Sequence, residues 1–498
     1  MAMKLLMLVI FFAIMVSVGI YARKHATSVD GYVLGGRSVG PWLTAFAYGT
    51  SYFSAVVFVG YAGQFGWKYG LASTWIGIGN AIIGSLLAWV VLGRRTKVMT
   101  QHLNSKTMPD FFGKRFDSVP LKVTASVIVF IFLIPYTASL YNGLSSLFGL
   151  VFDIPYWLVI LIMAVLTGFY VIFGGYMATA INDFIQGCIM IIGIIAVIAS
   201  VLKSNGGFMQ AIDALARVED AQATSTPGAF ASFFGPDPFG LLCVVILTSL
   251  GTWGLPQMVQ KFYAIKDEKS IGKGTLISTI FAIIVAGGCY FLGGFGRLYD
   301  IDIAAQGYDA IIPAMIEKLS PFLIAVVVIL VLSASMSTLS SLVLASSSTL
   351  TLDMIRGTIV KEMTEKKQVF IMRIFIVVFI AISAVIAVVQ YKNGVTFIAQ
   401  LMGISWGALA GAFLAPFIYS LYWKGVTKAA VLVNFLFGSG IMVANMLARA
   451  SFPTILQSPI NCGAFAMLAG LLIVPVVSLI TPKLSDEKKQ AVFSCYEK

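Results

Sequence analysis

The chain has 498 residues, 59% of them hydrophobic and only 11% charged, with a formal net charge of +12 and a mean hydropathy of +0.93. A soluble domain carries about 25% charged residues, so water-soluble packing is excluded and a polytopic membrane protein is expected. The positive excess points away from nucleic acid, because Lys and Arg concentrate in alternate connecting segments, as topology requires.

Thirteen apolar stretches can each cross a bilayer: 3–22, 41–65, 72–93, 120–148, 155–175, 182–202, 238–260, 274–296, 319–350, 368–390, 395–422, 426–448 and 459–481. The first follows Lys4 and is closed by Arg23, Lys24 and His25 with no small-residue cleavage site, so it reads as an uncleaved helix. Span two carries AYGTSYFSA (Ala47 to Ala55). Residues 94–119 form a basic connector. Residues 203–237 and 297–318 are richer in Asp, Glu, Gly and Pro, with room for short surface helices such as IPAMIEKL. Span seven carries GTWGLP (Gly251 to Pro256), and span nine SASMSTLSS (Ser333 to Ser341). The tail after Pro482 is too short for an output domain. With the N-terminus outside, 25 of the 33 Lys and Arg fall inside, and an odd number of spans leaves the C-terminus in the cytoplasm. The five cysteines are scattered without metal spacing, and His25 and His102 sit in basic loops.

A helix crossing lipid must satisfy its own backbone, so a break is tolerated only where the freed groups line an enclosed cavity. Breaks at matching places in spans two and seven open two runs of five spans, and five being odd, the second run enters inverted. The expected fold is therefore an all-α membrane protein of about thirteen helices with a five-plus-five inverted repeat. Its halves are 41–202 and 238–422, flanked by peripheral helices 3–22, 426–448 and 459–481 in one transmembrane domain, 1–498. Paired broken helices mark the binding site of a secondary transporter. The hydroxyl cluster of span nine admits two readings: close helix packing, or oxygens for an alkali cation, supplemented by carbonyls of the broken helix.

Five segments, DGYVLGGRSVGPW (Asp30 to Trp42), PDFFGKRF (Pro109 to Phe116), FGGYMATAINDFIQG (Phe173 to Gly187), WGLPQMVQKF (Trp253 to Phe262) and SMSTLSSLVLASSS (Ser335 to Ser348), resemble the sodium:solute symporter family in order. Bacterial proline and pantothenate symporters look nearest. The resemblance implies Na⁺ held by the carbonyls of Thr50, Phe53 and Ala334 and the hydroxyls of Ser337 and Thr338, with Ser341 one turn further on as a packing hydroxyl. It implies an ion-release or gating role for Asp183, which reads equally as a helix-start acid in a short junction; Arg37 reads as an inside-gate charge or as topology-setting positive charge. The expected solute pocket comprises Ser51, Ser54, Tyr136, Thr252, Trp253 and Ser405. Where proline symporters carry an aspartate in the broken helix, Tyr52 stands here; GLP (Gly254 to Pro256) and KYGL (Lys68 to Leu71) look more like pantothenate symporters.

The expected function is Na⁺-coupled symport of a small organic solute into the cell across the cytoplasmic membrane. An amino acid such as proline leads; pantothenate or another small carboxylate is the alternative. Partners are the solute, the sodium ion and the lipid bilayer, with no nucleic acid and no obligate protein partner. Proton coupling is disfavoured because no ionisable residue is expected near the ion site, and the short tail disfavours a membrane-embedded solute sensor. Paired carboxylates and nucleophile motifs are lacking, so no enzyme is expected.

Overall fold

The structure, a computed structural model, describes residues 2–152, 155–356, 359–360, 362–392 and 398–497; residues 395–397, expected to begin span eleven, lie outside them. Among the described residues the regular elements are all helical. Ten helices among these residues are long and apolar enough to cross a membrane, or eleven when one bent pair is joined.

Helix α1 (Ala2–Ala22) precedes the first broken span. There α2 (Pro41–Tyr52) stops at Phe53, whose backbone is extended (φ −85°, ψ 113°). A π-helical turn, Val56–Tyr61, then leads into α3 (Ala62–Tyr69). Helix α4 spans residues 74–102 and contains π-helical stretches at Asn80–Leu87 and Trp89–Gly93. The amphipathic helix α5 (Met108–Phe116) starts on a Thr107 N-cap, and α6 (Val119–Phe152) follows.

Helix α7 (Tyr156–Ser204) is 49 residues long. At about 1.5 Å per residue this is more than twice the ~30 Å hydrocarbon thickness. Gly175 breaks it with a left-handed φ of 54°; a Cβ there would lie 2.7 Å from the Tyr32 carbonyl. The second broken span joins α8 (Pro238–Gly254) to α9 (Pro256–Ala264) through extended Leu255, bent by 45°. Pro256 has no N–H to continue the ladder. Then come α10 (residues 269–293), α11 (Pro321–Thr349), α12 (Glu365–Lys392), α13 (Ile398–Tyr422), α14 (Lys428–Leu447), α15 (Pro459–Ile480) and α16 (Asp486–Phe493). The connectors at 203–237 and 297–318 both carry short helices, Phe208–Ala216 and Ile311–Glu317.

Helix α11 lies deep in the molecule: 78% of its most apolar window is buried, next to 83% for α13 and against 33% for the peripheral α12. Its Ser- and Ala-rich surface lets α7, α6, α2 and α9 approach closely, as small residues do between membrane helices. The starts and ends of the two broken spans are tied on the basic face. The Val39 N–H donates to the Ala264 carbonyl at 3.2 Å, and the Lys266 N–H donates back to Val39 at 2.9 Å.

Candidate functional site

The break after Tyr52 turns two carbonyls toward α11. Thr338 Oγ1 lies 3.0 Å from the Thr50 carbonyl oxygen, 3.2 Å from that of Phe53 and 3.1 Å from that of Ala334. Ser337 Oγ lies 3.3 Å from the Thr50 oxygen and 3.1 Å from that of Ala334. All five oxygens read from the sequence thus meet at one buried point. Five short O···O separations share only two hydroxyl protons. The remaining contacts set lone pair against lone pair, and a hard cation, which is bound by several oxygens at once, relieves that opposition.

One turn along α11, Ser341 Oγ stands 3.0 Å from Ser51 Oγ and accepts a hydrogen bond from Lys261 Nζ at 3.0 Å. Ser51 in turn donates to the Ala47 carbonyl, so its hydroxyl belongs to this chain and not to the group around Tyr136. The Lys261 ammonium also lies 3.9 Å from Asp183, with both side chains essentially buried. Two expectations are corrected here. Asp183 lies within α7, eight residues past the Gly175 bend, instead of opening a helix at a junction. An ionisable pair therefore does sit one turn from the oxygen cluster, and Ser341 is no inert packing hydroxyl.

The solute-pocket residues divide. The hydroxyls of Ser54 and Tyr136 and the indole N–H of Trp406 are buried and make no hydrogen bond of ordinary geometry among the described residues, having only one another as near polar neighbours. The Tyr136 and Trp406 rings meet edge to face at 5.9 Å, and Ser54 adjoins the phenol. Ser405 donates to the Phe132 carbonyl, tying α13 to α6 beside Tyr136. Thr252 and Trp253 are directed elsewhere. Thr252 donates to the Gly84 or Ser249 carbonyl, at 3.0 and 2.9 Å, and the Trp253 indole donates to Ile83 at 2.9 Å. A π-helical stretch leaves carbonyls without their usual α-helical donor, and that of α4 presents those of Ile83 and Gly84 to α8.

Arg37 bridges segments on the basic face, donating to Ser105 O at 2.6 Å and to Tyr263 O at 3.4 Å. Burial lowers its guanidinium from the ordinary value, partly opposed by Asp30. Nearby, Lys122 lies 3.3 Å from both Asp110 and Asp353, and Thr107 donates to Asp353.

Sequence reasoning missed Trp406 and Lys261. Trp406 passes as apolar filling. A lysine within a broken apolar span carries a signal, since intramembrane ionisable groups are functional candidates by default, but Lys261 was counted with the basic segment that follows span seven.

Two discontinuous helices around a buried oxygen cluster, in a chain of many apolar crossings, define a secondary transporter. The chain belongs to the sodium:solute symporter family, whose family model matches residues 32–438. It is therefore a multi-pass membrane protein that couples solute movement to Na⁺, and not an enzyme. It is 29% identical over 449 residues to sodium/proline symporter 2 of Staphylococcus saprophyticus, covering 88% of this chain and 85% of that one. It is 28% identical over 480 residues to the osmoregulated proline transporter OpuE of Bacillus subtilis, covering 95% and 94%. The fold matches that of a Na⁺-coupled sialic acid symporter in a substrate-bound outward-open state, with a TM-score of 0.75 at 16% identity over 97% of this chain and 98% of that one.

Proposed function

We propose that the chain imports proline, or a closely similar small zwitterion, together with sodium bound by Thr50, Phe53, Ala334, Ser337 and Thr338. The observation that carries the ion site is the shortage of protons among its oxygens: three carbonyls compete for two hydroxyl hydrogens. The solute site is the neutral group of Ser54, Tyr136 and Trp406, whose polar atoms make no hydrogen bond of ordinary geometry and have only one another nearby, bordered by Ser405. Unpartnered buried polar atoms cost on the order of 1–3 kcal/mol each, a cost that a bound polar solute would remove. Proline as the solute follows from the names of the relatives. Pantothenate is the second choice.

Thirteen crossings, with the helices divided at Gly175 and at Gly70, and a five-plus-five inverted repeat are part of the same reading. So are an outside N-terminus and a cytoplasmic C-terminus, because the basic connector 94–119 and the tail then share the positive-inside face. Asp183 and Arg37 act in ion release and gating.

The test is uptake of radiolabelled proline into proteoliposomes under an inward Na⁺ or K⁺ gradient, with competition by unlabelled proline, pantothenate and glucose. Sodium-dependent uptake blocked by proline supports the reading. Competition by glucose, with none by proline or pantothenate, overturns the solute class. A reporter fused after Lys498 should read cytoplasmic, and one near Gly207 external.

A further inference from the structure

On the outer surface of the helix bundle, the first half of α7 and α12 leave between them a groove of about 670 Å³. Every residue lining it is apolar or glycine, among them Ile160, Ala164 and Gly168 of α7 and Val377, Ala381 and Ala384 of α12. Small residues give it depth: a Cβ at Gly168 would come within 3.3 Å of the Ile380 side chain. Val377 and Ala381 are exposed, and an exposed apolar surface on a membrane-spanning helix meets hydrocarbon. Along α12 the lining runs from Val377 to Val389, about 18 Å at ~1.5 Å per residue. One leaflet's hydrocarbon is ~15 Å, half of the ~30 Å core. The groove therefore has the length of an acyl chain laid along the two helices.

One end of the groove is charged. Arg373 lies one turn before Val377 on α12. Its guanidinium lies 5.6 Å from the centre of the Tyr32 ring. The Tyr32 hydroxyl donates to the Val171 or Ile172 carbonyl of α7, at 3.1 and 3.3 Å, and Ile172 lines the groove. Arg373 has no ion-pair partner among the described residues, and its Nε is buried without a hydrogen bond. The Tyr32 proton is already given to α7, and a neutral phenol carries no charge to offset the cation. A charged group inside an apolar span is costly without a partner and is a functional candidate by default. At the other end stands Trp157, exposed, the residue type that anchors at a membrane–water interface.

We infer that this groove binds an anionic phospholipid, with the phosphate on Arg373 and one acyl chain between α7 and α12. A guanidinium offers five donors in a planar fork that matches phosphate oxygens, and basic pockets between membrane helices bind anionic headgroups. A zwitterionic headgroup brings its own ammonium beside the phosphate, so a net-negative one is the better partner for an uncompensated cation. The chain then descends over Val377, Ala381 and Ala384, facing Ala164 and Gly168. The lipid joins the first half of α7 to α12, which in turn packs on α11. Nothing in this site depends on the ion or the solute.

The experiment is native mass spectrometry of the purified full-length chain, exchanged into lipid-free detergent and then supplied with phosphatidylglycerol or phosphatidylcholine of identical acyl chains. The parent should retain one phosphatidylglycerol per chain, with at least tenfold preference over phosphatidylcholine. Arg373→Gln should bring that preference to within twofold, and Arg373→Lys, which keeps the charge, should hold at least threefold. Ala164→Leu/Ala381→Leu fills the groove from its surface and leaves Arg373 in place; it should unfold near the parent's temperature and lose the retained lipid. Equal retention of the two lipids by the parent, retention of neither, or an unchanged preference in Arg373→Gln would overturn the inference. If Arg373→Gln does not fold, the groove-filling variant decides, and phosphatidylglycerol still retained by it counts against the site. A lipid-free parent dimer that the same variant turns into a monomer would give the groove to a second copy of the chain and overturn the inference equally.

Discussion

Thr338 Oγ1 stands 3.2 Å from the Phe53 carbonyl oxygen, a contact that requires the α2 helix to have ended. In a continuous helix that carbonyl would point along the axis toward a backbone N–H. The extended Phe53 backbone turns it sideways. Ser337→Ala and Thr338→Ala each delete one oxygen and keep a helix-compatible side chain. Each should raise the sodium concentration for half-maximal uptake at least tenfold, and the double variant should be close to uncoupled. A packing role predicts only a stability loss of about 1 kcal/mol. Ser341→Ala is unsuitable as a control because its hydroxyl joins Lys261 to Ser51. Ser347→Ala serves better, since that hydroxyl bonds back to Leu344 of its own helix. Sodium titrations in which the Ser337 and Thr338 variants match Ser347→Ala would remove the site from α11.

Tyr136 and Thr252 were equivalent candidates in the sequence and are opposite cases in the structure. Tyr136→Phe removes a hydroxyl that makes no hydrogen bond of ordinary geometry, so stability should change little while the half-saturating solute concentration increases several-fold. Thr252→Val removes a donor to Gly84 or Ser249. It should cost about 1 kcal/mol of stability and leave apparent solute affinity within twofold. Paired thermal-unfolding and uptake curves separate the two, and the reverse pattern would move the pocket to α8.

What the sequence made legible follows from which signals are local. A helix break is local: Gly-Leu-Pro at 254–256 and the small, hydroxylated run around Phe53 mark both breaks. The hydroxyls of Ser337 and Thr338 are local too, at adjacent positions of one helix. The partners of Thr252 and Trp253 were not legible, because they depend on a π-helical stretch in α4, about 170 residues away in sequence. Asp183 looked like a helix start because the preceding segment is rich in glycine; the bend falls at Gly175, and α7 is already helical again by Asp183. Lys261 looked like topological charge because Lys266, Lys269 and Lys273 follow it. Lys261 lies within α9 and reaches Ser341 of α11, whereas the other three lie beyond the end of α9.

On the opposite face, Asp309 is half-buried in the connector before α11 and accepts a hydrogen bond from the Ile398 backbone N–H; burial pushes its carboxyl up to about 7. An acid whose folded pKa is raised adds stability fully present below its unfolded value, near 3.9. That stability is lost as pH rises through the folded value. Hydrogen exchange over residues 303–317 should therefore be faster at pH 8 than at pH 6 by more than the intrinsic chemistry requires. Asp309→Asn should abolish that excess. Equal protection at both pH values in the parent chain would contradict it.

Lys122 is shared by Asp110 and Asp353, 3.3 Å from each, with Lys114 a second cation on Asp110 at 2.9 Å, and Lys122 also donates to the Leu352 carbonyl. The three residues join α5, α6 and the end of α11 on the basic face, with Thr107 adding a donor to Asp353. Burial alone would raise the Asp110 carboxyl, but Lys114 and Lys122 outweigh it and hold it below the usual range. Asp110 thus contributes stability above its unfolded value, lost as pH falls through the lowered folded one. Lys122→Met leaves Asp110 to Lys114 alone and strands the fully buried carboxylate of Asp353. Removing one partner of a buried pair costs on the order of 3–5 kcal/mol, discounted here because the Lys122 side chain is 21% exposed. Asp353→Asn should cost less, since Lys122 keeps Asp110 and the amide oxygen still accepts from Thr107. The double variant of Lys122→Met with Asp353→Asn should then be more stable than Lys122→Met alone, because it removes the stranded charge of Asp353. A coupling of about 0.5–3 kcal/mol is the range for residues in direct contact. Thermal unfolding of the three variants in one detergent measures it. Strict additivity would mean that the three side chains do not act as a unit, and that the joint between α5 and α11 is held by apolar packing.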